Sequence, residues 1–151
     1  MKTEKDYEEF LRLLNKHKVK YCIVGAYAVG FYGYPRYSKD MDMLAEPTPE
    51  NAKKILKALK NFGFGSFLKK LKESDFTAKN NIIQLGIEPV RIDIKMSLPG
   101  VSFLEIWKTK VPGRYGKVKI FFIGKQQLIK SKKTNKRHID LLDVEKLKQI
   151  K

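Results

Sequence analysis

The chain alternates short apolar segments typical of buried strands with segments whose apolar residues recur at helical spacing. The strand-like segments are VKYCIV, MDML, NIIQLG and VRIDIKM. Between the second and third of these, Thr48 followed by Pro49 predicts a helix start, and the apolar stripe of that helix is Ala52, Ile55, Leu56 and Leu59. Strands that alternate with helices predict an α/β fold built as one sheet with helices packed against it.

The remaining segments complete the prediction of a single domain over residues 1–151. A further helix is predicted to begin near Thr3, because its apolar residues recur at helical spacing: Tyr7, Phe10, Leu11 and Leu14. AYAVGFYG and SFLEIW predict short helices, and RYGKVKIFFI predicts a hairpin or a bent strand. From Lys125 onward we expect two C-terminal helices, separated near Thr134 and Asn135.

The charge of the chain favours polyanionic partners. Lys and Arg number 32 against 16 Asp and Glu, a formal charge of +16. Residues 106–139 contain eleven Lys and Arg and no acidic residue, which fits either a solvated surface or a surface that binds anions. No apolar run reaches the about 18 residues that a membrane span needs, and the charged N-terminus lacks a signal core. With its lone Cys22, the chain is expected to be cytoplasmic.

Two aspartates lie one residue apart in the segment GYPRYSKDMDML. In a strand, residues two apart project from the same face, so Asp40 and Asp42 would lie side by side. Adjacent carboxylates repel each other unless a cation lies between them. The pair is therefore either solvated at a sheet edge or holds a metal ion.

A third strand-borne carboxylate favours the metal. In RIDIKM, Ile92, Ile94 and Met96 share one face, which leaves Arg91, Asp93 and Lys95 on the other. Three aspartates on adjacent strands would suit Mg²⁺, a hard ion that prefers oxygen ligands and binds substrate phosphates. The histidines and the cysteine are scattered and do not predict a zinc site.

Gly25 follows the first strand in CIVGAYAVG. A glycine there lets the backbone turn sharply and approach a ligand closely, and the N–H groups from Ala26 onward would be free. Strand–Gly–helix junctions are common, but upstream of paired aspartates this one predicts a phosphate-binding turn beside a metal site.

These motifs resemble the nucleotidyltransferase superfamily, which has the polymerase-beta-like fold. The resemblance is strongest over residues 21–103 and is closest to minimal nucleotidyltransferases that include AbiE-type toxins of toxin–antitoxin systems. Their pattern is a Gly-Gly or Gly-Ser turn, a short helix and Arg-x-Thr-x-Asp-x-Asp, and the matching residues here are Gly25, Arg36, Ser38, Asp40 and Asp42. Asp93 matches the third carboxylate, GVSF a segment that follows it, and LIKSKKTNKRHIDLLDVEKL the basic helix with its closing Arg-x-x-Asp. Ala26 replaces the second turn residue, Ser38 replaces threonine, and the chain is shorter than full-length toxins.

The resemblance implies a Mg²⁺-dependent enzyme that moves a nucleoside monophosphate from a triphosphate such as ATP to an acceptor hydroxyl. Two Mg²⁺ ions, with Mn²⁺ as an alternative, would be held by Asp40, Asp42 and Asp93. The triphosphate would contact Gly25, Ala26, Arg36, Ser38, Lys130 or Lys133, with Lys95 as a further candidate cation. The acceptor would be RNA such as tRNA, or a protein, and an antitoxin protein would be a partner if the chain is a toxin.

Two other functions remain open from the residues. Asp-x-Lys in IDIK also occurs on strands of metal-dependent nucleases, although that reading gives Asp42 and the Gly25 turn no role. A catalytically inactive module that binds RNA or nucleotide is the other alternative.

Overall fold

The computed structural model describes residues 4–34, 38, 40–63, 70–87 and 90–150. The helices are α1 (Lys5–Lys16), α2 (Gly25–Phe31), α3 (Pro49–Phe62), α4 (Phe103–Thr109), α5 (Lys125–Asn135) and α6 (His138–Gln149), with a short 3₁₀ helix at Glu73–Phe76. The strands are β1 (Tyr21–Val24), β2 (Asp40–Ala45), β3 (Ile82–Ile87), β4 (Val90–Lys95), β5 (Val111–Tyr115) and β6 (Val118–Phe122).

All six strands form one sheet in the order β3-β4-β2-β1-β6-β5. β2 pairs with β4 and β1 pairs with β6 in parallel, whereas the β1–β2, β3–β4 and β5–β6 pairs are antiparallel. The sheet is therefore mixed, with helices flanking it and two helices at the C-terminal end, which confirms the predicted fold class. No helix in the described part of the chain is both long and apolar enough to cross a membrane.

Strand alternation separates the core from the polar face in β4. Ile92, Ile94 and Met96 are buried among the apolar residues of the core, as their period of two predicted. Arg91, Asp93 and Lys95 consequently project from the opposite face of the sheet. This alternation places the charged side chains of β4 on one surface.

Local sequence signals fix both ends of α3. The side chain of Thr48 accepts a hydrogen bond from the Asn51 N–H and so caps α3, where Pro49 is the first helical residue. Gly63 ends α3 with φ 105°, a left-handed conformation that glycine adopts without a steric penalty. α1 and α3 then pack against each other through their buried apolar residues.

Three boundaries differ from the sequence predictions. α2 begins at Gly25 itself, and the predicted hairpin is present but starts at Val111, before RYGKVKIFFI. α5 continues through Asn135 and ends because Lys136 adopts a left-handed conformation with φ 58°. The break between the last two helices therefore lies one or two residues later than predicted.

Cys22 lies in β1 and is fully buried. Burial raises the pKa of its thiol to about 12, and the charge of Lys110 opposes that rise only in part. The thiol is therefore protonated and unreactive at neutral pH, as expected for a small apolar core residue.

Candidate active site

The three aspartates lie on two adjacent strands that run in parallel. Asp42 of β2 is the direct register partner of Asp93 of β4, and Asp40 is the partner of Arg91. Because Asp40 and Asp42 are two residues apart, all three carboxylates project from the same face of the sheet. The juxtaposition predicted from the strand patterns is therefore present in the fold.

Gly25 makes room for the carboxylate of Asp42. Val24, which precedes Gly25, pairs with Asp42 across the β1–β2 ladder, so the turn into α2 passes directly beside the aspartate. A Cβ atom placed on Gly25 would lie 2.2 Å from Asp42 Oδ2, and φ at this residue is +69°. Both the close approach and the left-handed backbone therefore require glycine.

Asp42 is held in an environment that disfavours its ionised form. Burial raises the pKa of Asp42, and the nearby charges of Asp93 and Asp40 raise it further. Lys95, on the same face, opposes this rise. The carboxylate thus carries unfavourable energy when ionised, which a bound cation would relieve.

Arg91 lies between the other two carboxylates. Its Nε is 3.4 Å from Asp40 Oδ1 and 3.2 Å from Asp93 Oδ1, and its Nη2 donates to Asp93 Oδ2 at 3.4 Å. Asp40 Oδ1 is nevertheless buried without any hydrogen bond among the described residues, because the Nε contact lacks hydrogen-bond geometry. An ion pair thus occupies this part of the site but leaves one carboxylate oxygen unsatisfied.

The residues present fit a divalent metal ion in their chemistry. Three carboxylates on one sheet face supply the oxygen ligands that Mg²⁺ prefers, and the unsatisfied oxygen of Asp40 offers a free acceptor. As the side chains stand, however, the described residues contain no group of three or more His, Cys, Asp or Glu arranged to hold a metal. The guanidinium of Arg91 instead pairs with two of the three carboxylates.

A cleft of about 260 Å³ opens beside Asp42. On the sheet side it is lined by Gly25, Ala26, Ser38 and Lys95. On the opposite side it is lined by residues of α5 and α6 and the connection between them, among them Lys132, Asn135, Arg137 and Asp140. The C-terminal helices therefore bring the cations Lys132 and Arg137, together with the carboxylate of Asp140, to the cleft that contains Asp42.

An ion-pair network holds both cations beside buried aspartates. Lys132 Nζ lies 2.9 Å from Asp143 Oδ2 and 3.5 Å from Asp140 Oδ1, and all three residues are buried. Arg137 Nε donates to Asp140 Oδ2 at 2.7 Å, and Asn135 Nδ2 donates to the same oxygen at 2.9 Å. Burial alone would raise the pKa of Asp140, but the hydrogen bond from Arg137 and the charge of Lys132 hold it below its usual value. The Arg-x-x-Asp pattern seen in the sequence is thus an ion pair across the start of α6.

Only some of the other residues that were predicted to contact the triphosphate line the cleft. Ser38 lines the cleft, and its hydroxyl donates to the Asp40 carbonyl at 2.8 Å, which braces the start of β2. Arg36 lies outside the described residues. Lys130 and Lys133 do not line the cleft: Lys130 pairs with Glu105 at 3.4 Å on the surface, and Lys133 is exposed. Lys132 and Arg137, which the sequence interpretation did not name as triphosphate contacts, line the cleft instead.

Helical spacing could have identified Lys132 in advance. Leu128 and Ile129 are buried in α5, and Lys132 follows them by four and three residues, so it lies on the same inward side. The run of lysines masked this signal, because sequence alone gave each of them the same candidate role.

Comparisons with known proteins identify the fold. No protein-family model matches the chain, and no curated protein sequence matches it. Among solved structures, the lincosamide antibiotic adenylyltransferase LnuA, in a lincomycin-bound crystal structure, is similar with a TM-score of 0.59 and 16% identity, over 99% of this chain and 98% of that one. A Thermotoga maritima protein, TM1012, which is classed provisionally as a nucleotidyltransferase, is similar with a TM-score of 0.58 and 15% identity. The match covers 94% of this chain and 86% of that one. The chain therefore has the fold of the nucleotidyltransferases.

Proposed function

With the nucleotidyltransferase fold as the premise, we propose that the chain is a metal-dependent nucleotidyltransferase. It moves a nucleoside monophosphate from a nucleoside triphosphate, such as ATP, to an acceptor hydroxyl. The observation that carries this proposal is the register of β2 and β4, which puts Asp93 beside Asp42, and Asp42 lines the cleft together with Gly25.

The cleft suits a triphosphate. Gly25 and Ala26 present backbone without bulky side chains, so phosphate oxygens can approach closely. Lys132 and Arg137 on the opposite side offer positive charge to the phosphates, with Lys95 nearby on the sheet. Asp40, Asp42 and Asp93 would hold divalent metal ions, two Mg²⁺ or alternatively Mn²⁺, which supply charge neutralisation of the triphosphate and of the leaving pyrophosphate.

The chemical step is an in-line displacement at the α-phosphorus. The acceptor oxygen forms a bond to the α-phosphorus while the bond to the bridging oxygen breaks and pyrophosphate leaves. Asp93, on the strand beside Asp42, accepts the proton of the acceptor hydroxyl. The residues of the chain thus bind, orient and deprotonate, which is most of what phosphoryl-transfer catalysis requires.

The acceptor that the charge of the chain favours is RNA, such as tRNA. An excess of 16 positive charges attracts polyanions, and acid-free residues 106–139 contribute α5 and the β5–β6 hairpin to the surface. A basic protein surface of this kind also fits a toxin whose antitoxin is an acidic protein. A small-molecule acceptor is the second candidate, because the similar structure LnuA is named as an adenylyltransferase of lincosamide antibiotics.

A transfer assay tests the proposal. The protein is incubated with Mg²⁺ and with ATP, CTP, GTP or UTP labelled at the α-phosphate. The acceptor offered is total RNA, lincomycin, or none other than the purified protein itself. Label incorporated into RNA, or into the protein itself, supports transfer to a macromolecule, and a labelled small molecule supports the second acceptor. Shortened RNA would indicate the nuclease alternative, and retention of nucleotide or RNA without change would indicate a binding module. Asp42→Asn should abolish incorporation, whereas the matched control Glu145→Gln, at an exposed acid of α6, should retain it.

A further inference from the structure

We propose that Arg91 is a resident counter-cation of the candidate metal site, which pairs with Asp40 and Asp93 until a divalent ion displaces it. The proposal rests on the proposed function, because it concerns the same three carboxylates. It adds a positioning role for a residue that belongs to neither the ligand set nor the triphosphate cleft. Arg91 would relieve the repulsion between two of the carboxylates in the absence of metal, and so set the affinity of the site for metal.

The geometry of Arg91 supports this role. Its guanidinium contacts both oxygens of Asp93, at 3.2 and 3.4 Å, and reaches Asp40 Oδ1 at 3.4 Å. One positive group therefore bridges two strands at the position where two carboxylates would otherwise repel each other across the β2–β4 pair.

The contacts are loose enough to be exchanged. Charge-assisted hydrogen bonds of this type are commonly about 2.7–2.9 Å long, so the Arg91 contacts are long. Asp40 Oδ1 is buried but does not hydrogen-bond to the guanidinium, and the Arg91 side chain is 30% exposed. A small divalent ion can satisfy that oxygen better than the guanidinium does.

The backbone of Arg91 is anchored independently of its side chain. The hydroxyl of Tyr7 donates to the Arg91 carbonyl at 3.0 Å and accepts from the Arg91 N–H at 3.2 Å. The guanidinium can therefore swing toward solvent or toward a bound phosphate without moving β4. The strand keeps Asp93 in place during the exchange.

Metal and guanidinium then compete for the same oxygens. Removing Arg91 should tighten metal binding in the absence of nucleotide, because no ion pair has to be broken and the repulsion among the carboxylates is unrelieved. A gain of about tenfold in affinity is expected, which corresponds to about 1.4 kcal/mol. A brace that served only the fold would instead leave metal affinity unchanged or weaken it.

The test compares Arg91→Gln, Arg91→Lys and the wild type by titration with Mn²⁺ alone, monitored by electron paramagnetic resonance of the free ion. Arg12→Gln is the matched control, because it removes an arginine and its 3.5 Å ion pair with Glu9 at an exposed position of α1. Thermal melts of the metal-free proteins accompany the titrations and show whether each variant is folded.

Mn²⁺ affinity is expected to be highest in Arg91→Gln and intermediate in Arg91→Lys. It is expected to be lowest, and equal, in wild type and Arg12→Gln. Lysine should be intermediate, because one amine keeps the charge but cannot contact both carboxylates as the guanidinium does. The inference is overturned, with the metal site left intact, if Arg91→Gln binds Mn²⁺ as wild type does or more weakly. It is also overturned if Arg91→Lys binds Mn²⁺ with wild-type affinity. Absence of Mn²⁺ binding in every folded protein overturns the metal site itself, and with it the proposed function. If Arg91→Gln does not fold, the comparison of Arg91→Lys with wild type decides.

Discussion

Asp42 occupies the space that a side chain on Gly25 would need. Its Oδ2 would lie 2.2 Å from a Cβ on that residue, so the turn that ends β1 and the carboxylate of β2 are compatible only when position 25 is glycine. The sequence context predicted only that Gly25 lets the backbone approach a ligand. The structure gives this glycine a second role. It permits a half-buried acid to lie beside the cleft.

Gly25→Ala should destabilise the protein and abolish nucleotide transfer. The left-handed backbone at Gly25 costs an alanine about 1 kcal/mol, and displacement of Asp42 adds about 1–3 kcal/mol. Gly63→Ala is the matched control, because Gly63 also has positive φ but nothing within 4 Å of its added Cβ. Urea unfolding should show a larger loss for Gly25→Ala than for Gly63→Ala. Equal losses would mean that the contact with Asp42 is easily relieved.

Arg137→Gln should lower stability at neutral pH and have a smaller effect in acid. Because the folded pKa of Asp140 is lowered, its ionised form stabilises the fold above its unfolded pKa, about 3.9, and this contribution disappears as pH falls through the folded pKa. Loss of the Arg137 hydrogen bonds should cost about 1–3 kcal/mol at pH 7, since Lys132 and Asn135 still contact Asp140. Urea unfolding of both proteins from pH 7 down to pH 2.5 (about 1.4 units below that unfolded pKa) measures the difference. A difference that does not shrink with acid would contradict the role assigned to Asp140.

Lys132→Gln should destabilise the protein far more than Lys130→Gln. Lys132 pairs with two buried aspartates, and removal of one partner from a buried ion pair costs about 3–5 kcal/mol. Lys130 is about half exposed and pairs with one partly exposed glutamate, so its loss should change stability by less than about 0.5 kcal/mol. Nucleotide affinity, measured on the folded fraction, should fall for Lys132→Gln and stay at the wild-type level for Lys130→Gln. The reverse order of affinities would restore Lys130 as the triphosphate contact.

RNA binding should weaken steeply with salt, because phosphate contacts release counterions. Lys133 and Lys136 are exposed at the end of α5, and their combined replacement by glutamine should reduce the salt slope by about 0.7 for each lost contact to single-stranded RNA. Filter binding across a range of salt concentrations measures the slope. An unchanged slope would move the RNA contact to another surface, and no RNA binding at low salt would exclude RNA as the acceptor.

Much of the site could be predicted from the sequence because it depends on strand periodicity. A period of two places Asp40 with Asp42 and Asp93 with Arg91 on one face, and pairing of the two strands brings these groups together. The lysines could not be assigned with the same reliability, because the rotation of α5 decides which of several neighbours turns inward. That rotation is set by Leu128, Ile129 and the aspartates of a different helix.

The Arg91 contacts illustrate a second limit of sequence reasoning. The shared face of Arg91 and Asp93 was evident from their spacing, but the bridge to Asp40 depends on the register of β2 with β4. Register follows from pairing across the sheet rather than from either strand alone. The role of Arg36 stays a prediction, since it lies outside the described residues.

The most direct test of the central claim is the thermal melting of wild type, Asp42→Asn and Asp93→Asn, each with and without Mg²⁺ and a non-hydrolysable nucleotide. Because burial raises the pKa of Asp42, its ionised form costs stability at neutral pH, so metal-free Asp42→Asn should be as stable as wild type or slightly more stable. Wild type should gain about 2.7 kcal/mol at a hundredfold excess of ligand over the dissociation constant, and both variants should lose that gain. Identical ligand-induced shifts in all three proteins would contradict a metal-nucleotide site at these carboxylates.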